Sequence, residues 1–297
     1  MLTQKEKESE YYKEQLSSLK DMMQRSTAYM QKLQSELSEA KEQLEIKHHE
    51  IIQSVNYAKG IQDRLIPDLE TFAPYFSEAN FHLSQQGAIG GDLIYARERD
   101  NSLYFGLMDC TGHGIPGALI SMMGYSFLDE IVKYGSKKTS GQVMEILNKH
   151  FVEFFESRNN EPKRHDGMDG VFFHYMPAEN LLCYSTVGRP LWLKTAKGWE
   201  FIKSDRLSIG GGYSGEFKCH SRTLAPGDEL FIFSDGLPDQ FGGKRNKKFL
   251  SKRVRQVLHQ NENLSVSQKI EEMVTRLSKW KDGAEQTDDI SFLGLKV

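Results

Sequence analysis

The sequence predicts an α+β domain of antiparallel sheets flanked by helices, preceded by a long coiled-coil helix. Three observations predict it. A heptad stripe runs through the first fifty residues without a Gly or Pro, the chain after Pro67 breaks into short β-rich runs, and helical stretches are set among those runs. Strands joined by hairpin-length turns pair antiparallel, whereas each parallel pair needs a crossover of about a dozen residues or more.

In the stripe, Tyr12, Leu16, Leu19, Met23, Ser26, Met30, Leu33, Leu37, Ala40, Leu44, Lys47 and Ile51 follow spacings of four and three in turn, and Lys, Glu, Gln and Ser fill between them. A mostly apolar seam sustained over so many heptads is the signature of a coiled coil. The other reading is an amphipathic helix lying on its own domain, but a helix of this length would leave much of the seam in water if it only folded back. A homodimer is therefore expected. Near His48 and His49 the register changes, and Ile51, Val55, Ala58, Ile61 and Leu65 carry the seam on a different face. The expected organisation is a coiled-coil dimerisation segment, 1–50, a linker or switch helix, 51–66, and a folded domain, 67–297.

Within the domain, β-rich runs predict strands at Asp92–Arg97, Leu103–Met108, Val171–Met176, Leu181–Val187, Leu191–Thr195, Glu229–Phe233 and Ile290–Val297. The stretches "RDNS", "PAEN" and "APGD" supply turns between several of them. Helices are predicted near Gly117–Tyr134, Gly141–Arg158, Phe249–Gln260 and Val266–Lys281.

Composition narrows the function classes. A chain of 297 residues can bury a sizeable core, as one large domain or as a domain plus an accessory segment. A net charge of −3 gives no reason to expect nucleic acid or an anionic membrane as partner. The three cysteines, Cys110, Cys183 and Cys219, form no CxxC pair, which argues against a zinc site or a disulfide framework and fits a reducing cytoplasm. The N-terminus lacks the apolar core of a signal peptide, and no stretch reaches the roughly 18 apolar residues of a membrane span. A cytoplasmic protein without a membrane span is expected.

The chemistry-bearing signal is a set of carboxylates at strand ends. In "GLMDCTGHGIPGAL", Gly106–Leu119, an apolar run ends at Asp109 before a Gly-flanked turn and a helix. A carboxylate there costs desolvation energy unless a positive group faces it, so either a cation sits at Asp109 or the residue caps the helix. "AIGGDLIY" places Asp92 at the head of a strand, "ELFIFSDGLPDQ" places Asp235 just after one, and "EQTDDISFLGLKV" places Asp288 and Asp289 before the last. Singly each is weak, since Asp-Gly is first of all a turn signal. Together, at strand ends that one sheet could bring side by side, they suit hard cations such as Mg²⁺ and Mn²⁺, which take oxygen ligands; two such ions can activate water for in-line displacement at phosphorus.

In that order, "AIGGDLIY", "MDCTGHGIPGAL", "HDGMDG", "FIFSDGLPDQ" and "QTDDISFLGLKV" resemble the motifs of bacterial metal-dependent protein Ser/Thr phosphatases of the protein phosphatase 2C superfamily, in the subgroup of SpoIIE and RsbU. The similarity runs from about Ile61 to Val297 and includes the "YAKGIQDRLIP" helix that commonly precedes the domain in this subgroup. The resemblance implies a β-sandwich of two antiparallel sheets flanked by helices, with a centre of two Mn²⁺ or Mg²⁺ ions at one end. By motif, Asp109 would bridge both metals and the carbonyl of Cys110 would ligate one. Asp235 and Asp288 would hold the other, with Asp289 the alternative to Asp288, and Asp92 would bind metal directly or through water. Asp109, Asp92 and Asp235 are thereby the expected catalytic residues, acting through a metal-activated water without a phosphoenzyme.

The chain also departs from the wider superfamily. The eukaryotic branch has an Arg and a Glu upstream of the Asp92 equivalent, whereas Leu83–Asp92 contains no basic residue and no carboxylate but Asp92 itself. The phosphate contact is left unassigned. Asp169 in "HDGMDG" is read either as a metal or positioning residue or as a turn carboxylate. His113 is read as bonding to backbone in its glycine turn, "IGGGYSG" (Ile209–Gly215) as a flexible loop, and "KRNKK" (Lys244–Lys248) as a solvated loop.

The resulting expectation is a phosphatase acting on phosphoserine or phosphothreonine of a protein partner, by resemblance a STAS-domain anti-sigma-factor antagonist, under control of the N-terminal helices. The rival from another class is a catalytically weak coiled-coil scaffold that binds a phosphoprotein; it would not need metal ligands. A metal-dependent nuclease is disfavoured by the lack of interleaved aromatic and basic segments.

Overall fold

The computed structural model describes residues 4–156, 166–211 and 215–297, and the chain divides into two compact units, Met1–Asn56 and Tyr57–Val297. Helix α1 (Gln4–Gln62) continues unbroken through His48 and His49, so the register change is a shift of face and no interruption of the helix. The seam residues Leu16, Leu19, Met23, Met30, Leu33, Leu37, Leu44 and Ile51 are all exposed on it.

The second unit contains two five-stranded antiparallel sheets. One has the order β1 (Glu78–Ser84), β12 (Ile290–Lys296), β9 (Glu229–Phe233), β6 (Leu191–Thr195), β7 (Gly198–Ile202). The other has the order β2 (Leu93–Arg99), β3 (Ser102–Cys110), β4 (Met168–Met176), β5 (Leu181–Val187), β8 (His220–Thr223). A short hairpin, β10 (Phe241–Gly242) with β11 (Lys247–Lys248), carries the basic stretch, exposed as expected.

The two-residue period of the strands builds the layers. Ile94, Leu103, Phe105, Leu107, Val171 and Phe173 from one sheet meet Leu191, Leu193, Leu230, Ile232, Leu293 and Leu295 from the other in one buried cluster. On the outer face of the first, Tyr104, Met108 and Phe172 pack with helices α2 (Gly114–Lys133) and α3 (Ser140–Phe155). On the outer face of the second, Trp192, Phe231 and Phe292 pack with α5 (Ser251–Gln260) and α6 (Val266–Lys281). A short helix, α4 (Gly236–Asp239), follows β9 directly. The result is a helix, sheet, sheet, helix sandwich, as the resemblance implied.

Local signals set the helix starts. Thr139 and Gln142, and likewise Ser265 and Gln268, form capping boxes that satisfy first-turn N–H groups of α3 and α6. Helix α2 begins at Gly114, before the predicted Gly117, because Gly112 and Gly114 at φ +84° and +64° complete the turn and Pro116 is tolerated in a first turn. Strands β1, β7 and β8 were not predicted. β1 and β7 are sheet edges, and β7 reads exposed or half-exposed throughout, so burial leaves little alternation in its sequence.

Gln62 closes the last turn of α1 onto the domain. Its amide nitrogen donates to Gly90 O at 2.6 Å and to Ser121 Oγ at 3.0 Å, and its amide oxygen accepts from Gly90 N at 3.2 Å. Because Gln62 is buried, Gln62→Ala leaves the Gly90 N–H unsatisfied and should cost about 1–3 kcal/mol. Denaturant unfolding of the variant would show it as a lowered midpoint; an unchanged midpoint would refute the clasp.

Candidate active site

The inner-face rows of leucine and phenylalanine end in aspartate. On β3 the residues facing the other sheet are Leu103, Phe105 and Leu107, so Asp109 follows in phase; on β4, Val171 and Phe173 put Asp169 in phase; on β2, Ile94 does the same for Asp92. Asp109 pairs directly with Asp169 across β3 and β4, and the β2–β3 register, Leu93 with Met108, brings Asp92 beside Asp109 one residue further. Three carboxylates thus stand in one row across three adjacent strands. Like charges directly opposite one another are destabilising, so the row calls for a compensating cation.

The facing sheet completes the cluster. β9 ends at Phe233 and delivers Asp235, whose backbone N–H donates to Asp109 Oδ2 at 3.3 Å. The segment before β12 delivers Asp288. Asp109, Asp169, Asp235 and Asp288 line one cavity of about 230 Å³ together with Cys110, Thr111, Gly112, His113, Met168, Arg189 and Ser208. Thr111 fastens its floor: its N–H donates to Gly167 O at 2.9 Å and its hydroxyl accepts from Gly167 N at 3.1 Å.

The two neighbours Asp288 and Asp289 separate. Asp289 is buried and accepts the backbone N–H groups of Gln86 at 2.6 Å and Gly91 at 2.5 Å, which fixes the loop ahead of Asp92. Asp288 lines the cavity. Asp92 lies behind the cavity wall, 3% exposed, and accepts from Ser291 Oγ at 2.7 Å. Asp169 lies within β4, so the turn reading does not apply, and its buried Oδ1 has no hydrogen-bond partner. Cys110 lines the cavity, but burial pushes its thiol well up and Asp109 adds to this, so only its carbonyl is suited to a cation. His113 lines the cavity without making a capping bond to the helix it precedes, contrary to the backbone-bonded role expected. Of the Ile209–Gly215 loop, residues 212–214 lie outside the described residues.

Arg189 is the residue that sequence reasoning missed. It lies in the connection from β5 to β6, where the chain crosses between sheets, flanked by Gly188 at φ +67° and Pro190. Its Nη2 donates to Asp109 Oδ2 at 2.9 Å and to Asp235 Oδ2 at 2.6 Å, and lies 4.0 Å from Asp169 Oδ2. A lone Arg in a Gly-Arg-Pro turn reads as a surface loop; the available signal was its place between two strongly apolar strands.

Electrostatics show how crowded the site is. Burial raises Asp92 well above the usual carboxylate range, and the charge of Asp109 adds to this. Burial pushes Asp109 up to about 7, against the opposing pull of Arg189 and with Asp235 adding. Asp169 and Asp288 are raised chiefly by burial too. Burial works against the charge on Arg189, but Asp109, Asp235 and Asp169 hold it and push its pKa up.

Comparison with known proteins adds the family. The family model described as SpoIIE, Stage II sporulation protein E, matches residues 99–297. The chain belongs to the SpoIIE family. No curated protein matches this SpoIIE-family sequence. Among solved structures, the chain is similar to the SiaA-PP2C domain of Pseudomonas aeruginosa, with TM-score 0.74 and 23% identity over 84% of this chain and 98% of that one. It is also similar to the PP2C phosphatase domain and regulatory-domain fragment of SpoIIE from Bacillus subtilis, with TM-score 0.60 and 14% identity over 74% and 63% of the two chains. A third is the RsbU and RsbW domains of Rv1364c from Mycobacterium tuberculosis, with TM-score 0.57 and 18% identity over 73% and 59%. At these identities the likeness shows the fold, which is that of the PP2C phosphatases.

PP2C-type phosphatases are metal-dependent, and the SpoIIE-family cavity has the matching chemistry: an all-oxygen donor set of crowded carboxylates and an unsatisfied Asp169 oxygen. Among the described residues no three His, Cys, Asp or Glu side chains converge as ligands on one point, and Arg189 contacts both Asp109 and Asp235. No helix of the described residues is long and apolar enough to cross a membrane.

Proposed function

We propose that this chain is a Mn²⁺- or Mg²⁺-dependent protein serine/threonine phosphatase that hydrolyses a phosphoserine or phosphothreonine on a STAS-type regulatory protein in the cytoplasm. The observation that carries the reading is the carboxylate row Asp92, Asp109, Asp169 on one sheet, closed by Asp235 and Asp288 from the other. Asp109, Asp235, Asp288 and the Cys110 carbonyl would hold the ions, with Asp92 behind them. When bound, two divalent ions supply an activated water and neutralise the charge that builds on the phosphoryl group. The chain's own part is to fix the carboxylates on strands and at strand ends. The Gln86 and Gly91 N–H groups held by Asp289 support a positioning role for it in the Asp92 loop, and so favour Asp288 as the ligand of the pair. The family supports a regulatory protein as substrate.

The exposed seam of α1 supports a homodimer through residues 1–50, since two such helices bury one another's leucines. Residues 51–66 would then serve as the linker or switch helix to the catalytic domain at 67–297.

The test is phosphate release from a phosphoserine STAS-domain protein with Mn²⁺ and with chelator. Release only with Mn²⁺ is expected; Mn²⁺ binding with no release would favour the scaffold. Deleting residues 1–45 should convert the sedimenting dimer to monomer and alter the basal rate. An unchanged sedimentation coefficient per mass would remove the coiled-coil dimer from the account.

A further inference from the structure

The cavity carries four aspartates, Asp109, Asp169, Asp235 and Asp288, and one arginine, a formal charge of −4 + 1 = −3. A phosphomonoester dianion is repelled by such a site. Divalent cations on the carboxylates reverse the balance, and they also take the acceptors that now hold Arg189.

The guanidinium is incompletely used where it stands. Its Nη2 makes the contacts to Asp109 and Asp235, while its buried Nε has no partner. Arginine keeps its charge at any physiological pH, and its planar fork matches two oxygens of a phosphoryl group. Pro190 restricts the backbone of Arg189, and Gly188 N donates to Asp205 O at 3.4 Å, so the side chain swings from a held root at the cavity edge. No basic residue lies in Leu83–Asp92, so the cavity draws no cationic phosphate contact from that segment.

We infer that Arg189 is an exchangeable phosphate clamp: it ties Asp109 to Asp235 while no divalent cation is bound, and turns its fork to the phosphoryl oxygens of the substrate once cations take those carboxylates. The inference rests on the phosphatase reading and supplies its missing phosphate contact. It makes Arg189 compete with metal and cooperate with phosphate.

Calorimetric titration with Mn²⁺ alone, then with inorganic phosphate on the Mn²⁺-loaded protein, tests both halves in the full-length chain. Arg189→Gln should bind Mn²⁺ about tenfold tighter than wild type, and phosphate at least about tenfold more weakly. Arg189→Lys keeps the charge without the fork, so its Mn²⁺ affinity should stay near wild type while phosphate binding still weakens; it also serves if the Gln variant folds poorly. Unchanged phosphate affinity in both variants, or unchanged Mn²⁺ affinity in Arg189→Gln, overturns the clamp. A wild-type protein that binds Mn²⁺ and phosphate through Arg189 yet releases none from a phosphoprotein overturns the phosphatase reading instead, and with it the clamp's part in catalysis, while the Arg189–phosphate contact stands.

Discussion

Asp109→Asn should reduce Mn²⁺-dependent phosphate release by at least about 100-fold, beyond the 10–100-fold that an outer-shell partner of a metal site costs. Asp109 sits at the centre of the carboxylate row, between Asp92 and Asp169, and is the carboxylate to which both the Asp235 backbone and Arg189 donate. An amide keeps the shape but removes the charge and turns one oxygen into a donor. Asp288→Asn, a direct ligand on the same reading, should also lose at least about 100-fold. Asp289→Asn should act differently: its neutral amide is a poorer acceptor for the Gln86 and Gly91 N–H groups, so the variant loses about 1–3 kcal/mol of stability. Rates at saturating Mn²⁺ beside denaturant midpoints separate the two behaviours. Asp109→Asn within tenfold of wild type would sink the assignment.

In chelator, wild-type stability should fall as pH rises from about 4 to about 7. Asp109 titrates near 7 in the fold and near 3.8 ordinarily, so between those values the native state binds the extra proton. Stability then decreases with pH across that window, being fully present below the lower value and lost through the upper. The size is roughly 2–4 kcal/mol for a shift of about three units in a mostly buried group. Asp109→Asn has no proton to exchange there and should give a flatter profile, and Mn²⁺ should restore wild type near pH 7 by favouring the ionised carboxylate. Parallel denaturation curves at pH 4.5, 6 and 7.5 decide it; equal slopes for the two proteins would refute the prediction.

The central strands were legible because burial dictates their residues. β5, β6 and β9 fall on the predicted limits, as apolar runs such as Glu229–Phe233 admit little else. β1 was missed although Ala79, Phe81 and Leu83 alternate with Asn80 and His82: it is an edge strand in which no residue is fully buried, and it lacks the dense apolar run that marks the central strands. The site was half legible. Asp92, Asp109 and Asp235 stood out as carboxylates where apolar strands end, but the row joining them needs the register of β2, β3 and β4, which is a property of pairing and not of any one segment. Asp288 and Asp289 are told apart by the backbone N–H groups that hold Asp289 away from the cavity, and those belong to a loop some 200 residues earlier. Arg189 has no local pattern; only the crossing between sheets gives it a role.

The alternation that seats Leu107 in the core also seats Asp109 at its edge. A slip of one residue in β3 would turn its inner-face apolar side chains to the helices and carry the carboxylate with them. Folding therefore proofreads the site: a chain that has buried its leucines has already put this aspartate in place, and a misaligned one betrays itself by unfolding before it can misfire.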